Sequence, residues 1–328
     1  MPAAASPAGQ AIVAPLWSQP TPAFLSRVRA GQVGGVILLG NGWTSAAATA
    51  DAVRRVQAAA CVHGTGVLVG VDQEGGTVHR LRWAPPSLAA AQMTTAGLAR
   101  SQATGAARAI AAAGVRLDFA PVADATTSAA SFEGTRSFGR DPVSVAPLVG
   151  AFVHGLQAAG VAATLKHFPG LGSATASTDD RAVTVARSKA FLTARLAPFQ
   201  AGIAAGARLV MVASASYPAL DPTGAPALFS HPIVSDLLRD TLGFGGVVVT
   251  DALDTPALRD QPDVPGRAVA AGVDVLLYSH EAPAEAGYVQ LLRDAKASAE
   301  IRADLAASAA RVAALKAWLA AHGGQICG

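Results

Sequence analysis

Short runs of apolar residues alternate with longer segments of mixed apolar and polar residues along the whole chain. Eight of these runs are rich in Val, Leu and Ile and are bounded by Gly, Pro or polar residues, which is typical of strands buried on both faces. They span residues 10–16, 33–39, 66–71, 115–120, 161–165, 208–213, 246–250 and 273–278. Helical patterns fill most of the intervals, and a last one covers residues 303–321.

This alternation predicts a parallel sheet with helices outside it. Eight strands fit a closed (β/α)₈ TIM barrel of the α/β class better than an open sheet, whose first turn would be expected to show G-x-G-x-x-G. No linker or change in composition marks a second domain. We therefore expect one barrel domain over residues 10–328, with the last helix covering the last strand, and a loose Ala/Pro/Ser-rich segment over residues 1–9.

Composition narrows the classes of function. About half of the 328 residues are apolar (51%) and only 14% are charged, and the mean hydropathy is +0.36. The uncharged stretches at residues 1–26 and 142–165 are interrupted by prolines or polar residues, so neither predicts a membrane-spanning helix of roughly 20 apolar residues. The net charge of +3 without a Lys/Arg run does not favour nucleic acid as a partner. We expect a monomer that has no membrane span and does not bind nucleic acid.

The two cysteines, Cys61 and Cys327, are too few for a cysteine-built zinc site. They could pair in a disulfide in an oxidising compartment, or remain two free thiols, and the sequence leaves both open. A possible pairing and the Ala/Pro-rich start favour a secreted or cell-envelope location, with a cytoplasmic one as the alternative. The start shows no signal-peptide pattern.

Charged and hydroxyl side chains follow most of the predicted strands. In a barrel the residues just past the strand ends share one face, however far apart they lie in sequence. Acids and bases with hydroxyls and few aromatic residues suit a small, hydroxyl-rich substrate such as a sugar. The set comprises Asp72, Glu74, Arg80, Asp124, Arg136, Lys166, His167, Asp179, Asp180, Ser214, Tyr217, Asp251 and Asp254.

Seven motifs in order carry a resemblance to a known family. They are GGVILL (34–39), GVDQEGGTVHRL (70–81), DFAPVADA (118–125), RSFGRDP (136–142), GLQAAGVAATLKHFPG (155–170), YPALDP (217–222) and LGFGGVVVTDALD (242–254). With this order and spacing the chain resembles glycoside hydrolase family 3 in its single-domain form, which includes bacterial β-N-acetylglucosaminidases acting on peptidoglycan fragments. The resemblance implies a carbohydrate substrate and neither a metal nor an organic cofactor.

The resemblance also implies the reaction and the residues that perform it. It implies retaining hydrolysis of a terminal β-linked sugar, N-acetylglucosamine from peptidoglycan-type or chitooligosaccharide substrates, with β-glucosidase-type specificity as an alternative. By motif, Asp251 is the nucleophile that forms a covalent glycosyl-enzyme. Asp124 alternatively only orders a loop. The residues implied to bind the sugar are Asp72, Arg80, Asp124, Arg136, Lys166 and His167.

The loop after KHFPG departs from the family pattern. In the hexosaminidase group this loop carries a His, then an Asp-x-His pair whose His is the general acid/base. Here Leu171 replaces the first His, the segment Ser177-Thr178-Asp179 stands where Asp-x-His is expected, and no histidine occurs between His167 and His231.

Three interpretations of this loop remain open. Asp179, or Asp180 as the alternative, could replace the acid/base if its pKa is raised by burial or a neighbouring anion. The enzyme could be slow, or need substrates whose leaving group requires no proton. The chain could instead be a catalytically impaired family member that binds cell-wall carbohydrate.

Overall fold

Eight parallel strands form the centre of the fold in a computed structural model, which describes residues 6–128, 131–324 and Cys327. In sheet order they lie β8, β1, β2, β3, β4, β5, β6, β7. Their bounds are β1 Ile12–Leu16, β2 Gly35–Leu38, β3 Leu68–Val71, β4 Leu117–Asp118, β5 Ala162–Phe168, β6 Leu209–Val212, β7 Val247–Thr250 and β8 Leu276–Leu277.

The sheet closes on itself between β7 and β8. Val249 forms a parallel bridge with Val275, just before β8, and the Thr250 amide donates to the Val275 carbonyl at 2.9 Å. On the other side of β8, Ile12 of β1 lies in register with Leu276. This order confirms the predicted single-domain (β/α)₈ barrel.

Each strand is followed by at least one helix. The α-helices are α1 Pro7–Gln10, α2 Pro22–Arg29, α3 Ala46–Ala60, α4 Ala96–Ala112, α5 Pro142–Gln157, α6 Lys189–Ala194, α7 Ala197–Ala204, α8 Val264–Ala270, α9 Glu281–Ala297 and α10 Ala299–Ala321, with a π-helix at Pro232–Thr241. Short 3-10 helices occupy Cys61–His63, Ala90–Gln92, Gly134–Arg136, Ala227–Phe229 and Pro256–Leu258.

Local sequence explains these elements. Nearly all strand residues are buried, because one face packs inside the barrel and the other against the helices. Helix α5 begins where Asp141 accepts hydrogen bonds from the amides of Val143 and Ser144 and where Pro142 occupies the first helical position. Gly160, between α5 and β5, has φ +74°, and a Cβ there would lie 2.2 Å from the His322 carbonyl oxygen, so only glycine fits.

Helix α10 closes the end of the barrel from which the strands begin. Val312, Leu315 and Leu319 pack with the apolar side chains of the barrel interior. Lys316 donates to Gln10, which precedes β1, at 2.6 Å. The prediction that this helix covers the last strand is therefore wrong in detail, since its apolar side seals the strand beginnings.

Both ends of the described chain are anchored at this base. Residues 7–10, mostly within the predicted loose segment, instead form α1, in which Ala8 and Gly9 are buried; residues 1–5 lie outside the described residues. Cys61 and Cys327 form a disulfide, with 5.5 Å between their Cα atoms. No helix among the described residues combines the length and the apolar character needed to cross a membrane.

Candidate active site

A cavity of about 470 Å³ opens at the end of the barrel where the strands finish. Its walls come from segments directly after β1, β3, β5, β7 and β8, as a barrel site requires. The cavity brings together most of the residues that the sequence predicted, namely Asp72, Arg80, Arg136, Lys166, His167, Asp179 and Asp251.

Two predicted residues lie elsewhere. Asp180 is exposed and does not line the cavity, whereas its neighbour Asp179 does. Asp124 was predicted to contact the sugar, but its side chain is fully buried behind His167 and does not line the cavity. Its carboxylate accepts hydrogen bonds from the His167 amide at 3.0 Å and the Leu171 amide at 2.6 Å. Asp124 thus orders the turn at the end of β5.

Lys166, in the last part of β5, is the centre of a buried charge cluster. Its ammonium lies 2.6 Å from an oxygen of Asp72 and 2.6 Å from an oxygen of Glu74. Arg136 donates two hydrogen bonds to the Glu74 carboxylate, at 2.8 and 2.9 Å. This bidentate geometry fixes both partners, so the cluster presents donors and acceptors in fixed positions.

The charges of this cluster are mutually stabilised. Burial alone would raise the pKa of Glu74, but Lys166 and Arg136 outweigh it and lower that pKa to about 2. Burial would likewise lower the pKa of Lys166, but Asp72 and Glu74 raise it above its ordinary value. At neutral pH Glu74 is therefore a carboxylate and Lys166 an ammonium.

His167, the next residue in β5, lies between two carboxylates. Its Nδ1 is 2.8 Å from Asp124 and 3.7 Å from Glu133. Burial disfavours the imidazolium, but the hydrogen bond to Asp124 and the charge of Glu133 raise the pKa of His167. Glu133 is 1% exposed, its pKa is raised by burial, and among the described residues its oxygens have no hydrogen-bond donor.

Asp124, Glu133 and His167 are also close enough to hold a cation, with ligand atoms within 4.8 Å of one another. However, Nδ1 is the histidine atom that faces both carboxylates, and the raised pKa of His167 favours a proton on this ring. The geometry fits an imidazolium that donates to Asp124 and lies within ion-pair distance of Glu133.

Asp251 follows β7 directly and lines the same cavity as the Lys166 cluster. Its amide donates to the Val212 carbonyl at 2.9 Å, and its Oδ1 accepts from the Ala252 amide at 2.8 Å. Burial and then the charge of Asp179 raise the pKa of Asp251, while the charge of His167 opposes this. One oxygen of this side chain is therefore fixed at a strand end, in the wall of the cavity.

The family model described as "Glycosyl hydrolase family 3 N terminal domain" matches residues 13–315 of this chain. The chain belongs to glycosyl hydrolase family 3. A protein named beta-hexosaminidase from Stenotrophomonas maltophilia is 38% identical over 267 residues, covering 76% of each chain. One of the same name from Xanthomonas oryzae pv. oryzae is 39% identical over 262 residues, covering 76% of this chain and 77% of its own.

Solved structures are also similar to this chain. A β-N-acetylhexosaminidase from Beutenbergia cavernae superposes with a TM-score of 0.86 and 34% identity, covering 95% of this chain and 97% of that one. A family 3 β-N-acetylglucosaminidase from a Paenibacillus species gives 0.90 and 32% over 96% of this chain, which spans 62% of that protein's length. The chain is thus a family 3 glycosyl hydrolase that resembles β-N-acetylhexosaminidases.

Sequence reasoning missed several residues at this family 3 site. Trp17, half exposed in the cavity wall, and His280 each come one or two residues after a predicted strand, so the strand-end rule could have found them. Glu74 was among the strand-end residues, but nothing indicated its central place. Glu133 lies far along the loop after β4, and no signal in the sequence points to it.

Proposed function

We propose that this chain is a retaining glycoside hydrolase that releases a terminal β-linked N-acetylglucosamine through a covalent glycosyl-enzyme on Asp251. The observation that carries the proposal is the position of Asp251 in one cavity with the buried Lys166 cluster. A retaining enzyme needs a fixed carboxylate beneath the anomeric carbon while other groups hold the ring. Peptidoglycan-type fragments and chitooligosaccharides both end in such a sugar.

Charged side chains around the cavity support recognition of a sugar ring. Asp72 can accept hydrogen bonds from hydroxyl groups, and Lys166 and Arg136 can donate to them. Arg80 also lines the cavity, and its guanidinium can donate to a sugar hydroxyl. Groups that are already fixed by one another lose little entropy when a sugar binds, which favours a precise placement of its anomeric carbon.

Hydrolysis also needs a group that gives a proton to the glycosidic oxygen and later takes one from water. In the loop after β5, Asp179 lines the cavity and Asp180 does not, so Asp179 is the candidate that this loop offers. The nucleophile proposal is independent of which group fills this role.

The first experiment compares aryl β-N-acetylglucosaminides with aryl β-glucosides as substrates for the wild type and for Asp251→Asn. We expect the wild type to prefer the acetamido sugar and the variant to lose at least about 10³-fold in kcat/KM, because no covalent intermediate can form. Nuclear magnetic resonance of the first product should show the β-anomer, and a slowly turned-over fluorinated glycosyl donor should label the peptide that contains Asp251.

Three results would contradict parts of the proposal. If the wild type prefers the glucoside, the enzyme has β-glucosidase-type specificity and N-acetylglucosamine is not its preferred sugar. An α-anomeric first product would exclude the covalent step. A wild type that binds the sugars in calorimetry but cleaves none of them would make this chain a carbohydrate-binding member of the family.

A further inference from the structure

The rim of the cavity between β7 and β8 carries an Asp–His pair that lies outside the loop after β5. Oδ2 of Asp254 is 2.8 Å from Nδ1 of His280. The other oxygen, Oδ1, accepts hydrogen bonds from the amide of Ser279 at 2.8 Å and from its hydroxyl at 3.0 Å, and this hydroxyl is also 3.1 Å from His280 Nδ1. Asp254 is therefore fixed through both oxygens, and it anchors one nitrogen of the imidazole.

The second nitrogen of His280 is available for chemistry. The Asp254 side chain is 8% exposed, whereas that of His280 is 68% exposed, and Nε2 has no hydrogen-bond partner in the described part of the chain. An anion at Nδ1 fixes the tautomer and stabilises the imidazolium when Nε2 takes up a proton. The pair therefore has the form of an oriented proton donor and acceptor.

His280 lies where two cavities meet. Asp254, Thr255, Pro256 and His280 line both the cavity of Asp251 and a second one of about 670 Å³. A sugar held over Asp251 would direct its leaving group away from the Lys166 cluster, toward an opening. On that side Trp17, held through its indole nitrogen by the Ser279 carbonyl at 2.9 Å, offers an aromatic face to a second sugar.

Asp179, a carboxyl group in the wall of the same cavity, is less suited to the task. It is exposed, and its only described hydrogen bond is from its backbone amide to the Ser177 hydroxyl, so the carboxyl is not oriented.

We propose that His280 is the general acid/base of this chain and that Asp254 is its positioning residue. The proposal rests on the proposed function, since it assigns a role within the same reaction. In this proposal residues after β7 and β8 carry out the proton transfer, and Asp179 takes no part in the reaction.

The reaction then balances in two steps. In the first, Nε2–H of His280 gives its proton to the glycosidic oxygen while the bond from that oxygen to the anomeric carbon breaks and an Asp251 oxygen bonds to this carbon. In the second, neutral His280 takes a proton from water as the water oxygen attacks the anomeric carbon and the Asp251 bond breaks. The imidazolium and the carboxylate are both restored.

The test uses two aryl β-N-acetylglucosaminides, one with 2,4-dinitrophenol and one with phenol as leaving group, and the variants His280→Ala, His280→Gln, Asp254→Asn and Asp179→Asn. We expect both His280 variants to lose about 10²–10⁴-fold in kcat/KM on the phenyl substrate and less than about tenfold on the dinitrophenyl one. Azide attacks without losing a proton and replaces water in the second step, so it should raise kcat of both His280 variants on the dinitrophenyl substrate and give a glycosyl azide. Asp254→Asn should show the same dependence on leaving group, more weakly, and Asp179→Asn should show none.

The outcomes separate this proposal from the proposed function. Equal losses on both substrates in the His280 variants, or a leaving-group-dependent loss in Asp179→Asn, would overturn the role of His280 while Asp251→Asn still identifies the nucleophile. A wild type inert toward both substrates would overturn both proposals. Unchanged circular dichroism and thermal midpoints in the His280 variants, expected for so exposed a side chain, would show that they fold.

Discussion

At the scale of single residues, the candidate site depends on charges that stabilise one another out of water. Lys166 is surrounded by Asp72 and Glu74, and Glu74 in turn is paired with Arg136. Removing one member of such a group leaves its partners buried and uncompensated, which costs more than the pair itself contributes. The chemistry and the stability of the barrel mouth are therefore coupled.

Glu74→Gln should lower the free energy of unfolding by about 3–5 kcal/mol, because Lys166 and Arg136 lose a shared buried anion. Urea unfolding at neutral pH measures this. The control is Asp51→Asn, which removes an exposed partner of Arg54 and should change stability by less than about 1 kcal/mol. Similar small effects in both variants would show that the buried cluster does not stabilise the fold.

The sequence identified most, but not all, of these residues. Lys166, His167 and Asp251 could be predicted because they come at the end of apolar strands, where a barrel collects its polar groups. Glu133 could not, since its place beside His167 depends on the path of a long loop. The pairing of Asp254 with His280 could not be predicted either, because the two residues follow two different strands.

At the scale of elements, β4 connects the barrel to the segment that carries Glu74. A short hairpin, Gln73–Gly75 with Val78–His79, follows β3. Asp118 in β4 accepts a hydrogen bond from the Gln73 amide at 3.0 Å. Burial raises the pKa of Asp118 to about 8, so this carboxyl keeps its proton at neutral pH. Periodicity predicted all eight strands, but not this hairpin, because its few residues carry no repeating pattern.

Asp118→Asn should therefore change how stability depends on pH. The folded-state pKa lies above the ordinary value of 3.8, so Asp118 contributes stability that is complete below that value and is lost as the pH rises to about 8. Asparagine has no carboxyl proton to lose, so its contribution to stability does not change with pH in this way. The stability of the variant relative to wild type should rise between pH 5 and pH 7 by up to about 1.4 kcal/mol per pH unit, as measured by urea unfolding.

A matched control for this titration is Asp260→Asn, which replaces an exposed aspartate. Its stability relative to wild type should stay constant over the same pH range. If the Asp118 variant behaves in the same way, Asp118 is ionised in the folded protein and the predicted burial effect is absent.

At the scale of the whole molecule, stabilising and functional parts occupy opposite ends of the barrel. Helix α10 and the disulfide close the end where the strands begin, and the cavity lies where they finish. The sequence left the cysteine pairing open, because it joins positions 266 residues apart. Only the closure of the barrel brings these positions together.

The double variant Cys61→Ala/Cys327→Ala should lose about 2–5 kcal/mol of unfolding free energy, since the bond closes a long loop and restricts the unfolded chain. Its kcat/KM at a temperature well below unfolding should equal that of the wild type, because the bond lies far from the cavity. Wild type treated with a reductant should match the variant. A changed KM would show that the disulfide affects the cavity. An unchanged free energy of unfolding would show that the disulfide does not stabilise the fold.

The closed base also matters for handling the protein on a surface. Cys327 and the end of α10 are fixed against the barrel on the side away from the cavity. A resin or sensor chip attached through this region would hold every molecule with its mouth toward the flowing solution. Large polymeric carbohydrates could then be presented to an oriented layer of sites without steric blocking by the support.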